Sequence, residues 1–146
     1  MSYKIISNEK LPYVISYPRK YIPGVKYPVI IFLHGAGTRG CSFDKLISNQ
    51  YFETTREYED FPFITVAPLC SENSWFDVFH LLKELIDTIV EADFSDSSRI
   101  YLMGNSMGGY MTWQFAMSFP EYFAAIVPIC GGGMYWNAER LVGVPI

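Results

Sequence analysis

Histidine is nearly absent from this 146-residue chain: there are two, His34 and His80. Beyond Ser106 there is no histidine and no aspartate, and the acids left there are Glu121 and Glu139. Cysteine is sparse as well. Cys41, Cys70 and Cys130 are odd in number and lack metal-ligand spacing, which argues against a disulfide framework and leaves no metal or cofactor to expect. The net charge of −4, from 11 basic and 15 acidic residues, offers no basic patch. Nucleic acid is therefore not an expected partner. No segment reaches the roughly 18 consecutive apolar residues of a membrane span, so no membrane partner is expected. Residues 1–9 hold no apolar h-region and no visible signal peptide, and the cytoplasm is the default location.

Apolar residues are plentiful: 50% of the chain is hydrophobic and 17% aromatic, ample for one core. One domain over residues 1–146 is expected. Residues 27–33, Tyr-Pro-Val-Ile-Ile-Phe-Leu, form an unbroken apolar run, the mark of a strand buried on both faces. Residues 12–18 predict a short strand near a sheet edge, bounded by prolines, followed by a loop that turns at Pro23-Gly24. Ser42 is placed to cap a short helix over 43–47. A buried strand is predicted over 63–68. A helix follows over 75–92, where Val78, Leu81, Leu82, Leu85, Ile86, Ile89 and Val90 recur at three- and four-residue steps. After a polar turn at 93–98 come a strand at 99–103, a helix ending at Phe119-Pro120, and a strand at 124–130. Strand and helix alternate three times. The expected fold is α/β: three layers, α/β/α, around a mostly parallel sheet, with ligands at the carboxyl ends of the strands.

Gly104-Asn105-Ser106-Met107-Gly108 joins the apolar strand 99–103 to a helix. This is the G-x-S-x-G pattern in strand–turn–helix context. Gly104 and Gly108 lack a Cβ, so strand and helix approach closely around a serine hydroxyl that projects outward. A helix starting there aims free amides and its positive dipole end at the same place. The plainer reading is a glycine-rich turn with a bystander serine. The apolar run 27–33 ends in His34-Gly35-Ala36-Gly37. Two main-chain N–H groups aimed at one point stabilise an oxyanion; Met107 and either Ala36 or Gly37 are the candidates. The segment around Ser106 lacks the lysine of a P-loop and the spacing of a dinucleotide fingerprint.

The segments 33–40 and 99–109 resemble the α/β-hydrolase superfamily, and most closely its small esterase and predicted peptidase branch of feruloyl and acetylxylan esterase-like enzymes. The resemblance runs from about Tyr13 to Ile146. It implies Ser106 as nucleophile, an oxyanion hole from Met107, Ala36 and Gly37, and His34 and Gly35 shaping the loop. The family orders its triad serine, acid, histidine, and the last two are missing here. The resemblance therefore implies a hydrolase fold lacking its C-terminal strands, within a longer protein, and little activity for this chain alone. The expected reaction is cleavage of a small-molecule carboxylic ester through an acyl-enzyme. A serine peptidase of the same fold and a non-catalytic binding protein are the alternatives. The incomplete sheet would leave an edge on which copies of the chain can pair.

Other residues read two ways. Trp75 walls a substrate pocket or is a buried aromatic at a helix start, with equal weight. Tyr135 and Trp136 suit an aryl or sugar ester, and core packing explains them slightly better. Asp77 and Glu72 precede the serine against the family order, so Asp77 reads better as a helix cap. His80 reads as a structural or surface residue.

Overall fold

The computed structural model describes residues 2–146, in which three strands come first and strands and helices then follow in turn. In chain order they are β1 Ser2–Ile6, β2 Tyr13–Tyr17, β3 Tyr27–Leu33, α1 Phe43–Ile47, α2 Gln50–Glu57, β4 Ile64–Pro68, α3 Phe79–Glu91, β5 Ser95–Asn105, α4 Met107–Ser118 and β6 Ala125–Ile129. The strands form one sheet in the order β1-β2-β4-β3-β5-β6. β3 pairs in parallel with β4 and β5, and β5 with β6. The outer pairs β1–β2 and β2–β4 are antiparallel.

Successive side chains of a strand face opposite sides, and the apolar run of β3 supplies both. Val29, Ile31 and Leu33 join Ile64, Val66, Ile100, Leu102 and Ile126 beneath α3 and α4. Phe32 joins Leu46, Ile47 and Phe52 beneath α1 and α2. These are the three α/β/α layers. Phe79 of α3 and Phe115 of α4 meet at a ring-centroid distance of 5.2 Å, tying the two helices of one layer together.

Four local expectations are corrected. β1 is a strand paired with β2 along residues 2–6, although nothing in that polar segment singled it out. α2 is a further helix, capped by the Asn49 side chain, which accepts from the Tyr51 N–H at 3.0 Å. β5 begins at Ser95, four residues before the predicted start at Arg99, because Tyr27 pairs with Ser95. α3 begins at Phe79 rather than at 75. The Asp77 carboxylate accepts from both the amide and the hydroxyl of Ser74 (2.8 and 2.9 Å), which closes a turn ahead of the helix. Val78 is the N-cap of α3 and makes no side-chain bond there, so Asp77 caps a turn and not the helix.

The β6 edge is blunted. The outward N–H of Ile126 is taken by the Pro145 carbonyl (2.9 Å), and Pro128, two residues on, has no N–H to offer.

Candidate active site

The carboxyl ends of β3, β4, β5 and β6 bring four loops to one rim. Ser106 stands there between β5 and α4 with φ 51° and ψ −114°. A non-glycine residue in that region is strained and persists only where its surroundings impose it. Its amide bonds the Ile129 carbonyl at 2.8 Å, and its carbonyl accepts the Tyr110 N–H at 3.0 Å. The side chain caps nothing and the residue is exposed, so the hydroxyl is free at the surface.

The flanking glycines explain how the turn is imposed. A Cβ on Gly104 would strike the Gly108 carbonyl, and one on Gly108 would strike the carbonyl of Leu33 at the end of β3. A Cβ on Gly109 would lie 2.5 Å from the Ile129 carbonyl oxygen. The first turn of α4 thus presses onto the ends of three strands. Its first amides, beginning with Met107, have no acceptor within the helix.

The loop after β3 lies against this turn. A Cβ placed on Gly35 would be 3.5 Å from the Ser106 Cβ and 3.1 Å from Asn105 Nδ2. Ala36 and Gly37 begin a 3₁₀ turn over Ala36–Thr38 and are exposed. His34 is buried and engaged at both nitrogens. Its Nε2 accepts the Cys70 amide at 3.0 Å, and its Nδ1 lies 2.8 Å from the Gly35 carbonyl. A backbone amide can only donate and a carbonyl can only accept, so the proton sits on Nδ1. Burial holds the pKa of His34 below the usual histidine value, partly offset by the bond to Gly35. It is therefore a neutral structural imidazole. His80 is exposed on α3.

Ser106, Met107, Ala36, Gly37, His34, Gly35, Gly104 and Gly108 are thus gathered in one place. Trp75 is not part of an open pocket: it is fully buried, and its Nε1–H donates to the His34 carbonyl at 2.9 Å. Tyr135 and Trp136 lie on a 3₁₀ helix, Tyr135–Leu141, and are 83% and 62% exposed. This overturns the core-packing account of the pair. Nearby is a groove of about 250 Å³ lined by Phe76, Tyr110, Gln114, Gly132, Gly133 and Met134. Phe76 and Tyr110 had no signal of their own in the sequence. Tyr110 lies one helical turn beyond Ser106, a spacing that puts both on one side of α4. Cys130 carries a second positive φ, 51°, where β6 leaves the sheet.

A solved thermostable esterase superposes on this chain with a TM-score of 0.73 at 30% identity, over 99% of this chain and 45% of its own. The feruloyl esterase module of Clostridium thermocellum, solved with sinapinate, gives 0.66 at 18% identity, over 97% and 59%. This chain has the α/β-hydrolase fold. The family model of the prolyl oligopeptidases matches residues 72–136, which hold Ser106 of this hydrolase fold. Poly(3-hydroxyalkanoate) depolymerase C of Paucimonas lemoignei is 25% identical over 130 residues, 77% of this chain and 30% of that enzyme. The hydrolase-fold chain described here spans about half the length of the solved relatives it matches.

Proposed function

We propose that this chain carries the nucleophile and the oxyanion-binding loop of a serine hydrolase acting on carboxylic esters. The observation that carries the reading is the strained, exposed Ser106 set against the Gly35 loop. In this reading Ser106 Oγ attacks the ester carbonyl and its proton passes to a base. The tetrahedral oxyanion is held by the amides of Met107 and of Ala36 or Gly37. The alcohol leaves, and water releases the acid. Esterases among the solved relatives support a hydrolase of this class. In this reading the exposed Tyr135 and Trp136, on the 3₁₀ helix after β6, contact the non-reacting part of the ester.

His34 does not serve as base where it stands. His34 has both nitrogens committed, and His80 lies exposed on α3. In this reading the serine still requires a base and an acid partner. Without them, a serine keeps only the residual catalysis of its oxyanion site. The other reading is a hydrolase-like module that binds without catalysis.

A fluorophosphonate probe separates the two. Phosphonylation of Ser106, lost in Ser106→Ala, is expected in a longer polypeptide containing this chain and weakly in the chain itself. No labelling of the longer form, together with no hydrolysis of short-chain aryl esters, would overturn the esterase reading.

A further inference from the structure

The loop after β4 grips the loop after β3 at four points. The Cys70 amide donates to His34 Nε2 (3.0 Å), and the Trp75 indole N–H to the His34 carbonyl (2.9 Å). The Gly40 amide donates to the Cys70 carbonyl (3.0 Å), and Arg39 Nη1 to the Asn73 carbonyl (2.6 Å). Two grips fall before Gly35–Gly37 and two after. The Trp75 ring also packs on the His34 ring, with centroids 4.9 Å apart. Within the gripped segment, the Gly35 carbonyl accepts both His34 Nδ1–H (2.8 Å) and the Thr38 N–H (3.1 Å). A peptide unit is planar and trans, so fixing that carbonyl also fixes the Ala36 N–H on its opposite side.

We infer that Trp75 and Arg39 are positioning residues that set the aim of the Ala36 and Gly37 amides, with segment 70–75 as their brace. The inference rests on the oxyanion role proposed for that loop. Preorganised donors stabilise developing charge because they need no reorientation when it forms. A loop without the brace would have to reorder its amides in every catalytic cycle. Neither side chain needs to touch substrate: Trp75 is buried, and the Arg39 guanidinium is turned to Asn73.

The test compares Trp75→Phe, which keeps a ring and removes the N–H, with Arg39→Ala at an exposed site. Hydrogen exchange is read at the amides of Thr38 and Arg39, which bond the Gly35 and Ala36 carbonyls. Fluorophosphonate labelling of Ser106 is read alongside. Exchange at these two amides should quicken roughly tenfold, a typical effect of losing one hydrogen bond, with β5 amides unchanged. Labelling should slow by a similar factor. General destabilisation would quicken the β5 amides too. Exchange within twofold of the parent in both variants overturns the brace, and faster exchange with unchanged labelling overturns the positioning role. Labelling is read in a longer polypeptide containing this chain, where its absence tells against Ser106 as nucleophile, while the exchange measurement still decides the brace.

Discussion

Gly108 of α4 packs directly on the main-chain carbonyl of Leu33 at the end of β3, with no room for a methyl group between them. The contact joins the two halves of the candidate site, the serine turn and the loop after β3. Gly108→Ala must push α4 off the sheet. Overpacking of this kind costs about 3 kcal/mol, read as a lower urea midpoint at an unchanged slope. Gly37→Ala is the control: nothing lies within 4 Å of a Cβ there, and its stability should stay within about 0.5 kcal/mol of the parent.

Ser106 holds a backbone conformation that suits glycine better than serine. Such strain costs on the order of 1–3 kcal/mol, and glycine gives back roughly 0.5–1 in chain entropy. Ser106→Gly should therefore stabilise the fold by about 0.5–2 kcal/mol, since the amide bond to Ile129 remains. Ser106→Ala keeps the strain and should leave stability nearly unchanged. Both remove the hydroxyl and should abolish phosphonylation. A destabilised Ser106→Gly, read by chemical denaturation, would mean that the turn is not strained.

Legibility followed the range of the contacts. The turn at 104–108 was readable because glycine spacing, the apolar strand before it and the helix after it are all local. The central strands were readable because residues of β3 are buried on both faces. β1 was not: it is an exposed five-residue edge strand whose structure depends on pairing with β2. Trp75 was undecidable because its partner His34 is 41 positions away. Asp77 misled because its carboxylate satisfies a turn at Ser74 instead of the helix end two residues on. For Tyr135 and Trp136 core packing reads slightly better than an ester pocket in the sequence, yet they stand in solvent on the last 3₁₀ helix.

His34 makes the fold sensitive to mild acid. Burial favours its neutral form, so its folded pKa lies below the ordinary value of about 6.5. Between those two values the unfolded chain binds a proton that the folded chain does not, so stability rises with pH. The contribution is complete above about pH 6.5 and is lost as pH falls through the folded pKa. Protonation would also cost the Cys70 N–H its acceptor at Nε2. Unfolding free energy measured from pH 5 to 8 should fall toward the acid end. His34→Gln should flatten that slope. The carboxyls of Asp60, Asp87 and Asp96 lie below their usual value, Asp96 at about 2, so their contributions fade only in stronger acid.

Tyr135 and Trp136 stack edge to face with ring centroids 5.1 Å apart, and both are exposed. Rings in solvent contribute little to folding, so Trp136→Ala and Tyr135→Ala should each change stability by less than about 0.5 kcal/mol. If the pair contacts the non-reacting part of an ester, the loss appears in substrate binding. In a longer active form, KM for a bulky aryl ester should rise several-fold while kcat holds, the pattern of lost uniform binding. A small acetyl ester, too short to reach the pair, should show no change. Equal effects on both substrates would remove Tyr135 and Trp136 from the substrate path and leave Phe76, Tyr110 and Met134 as its aromatic and thioether wall.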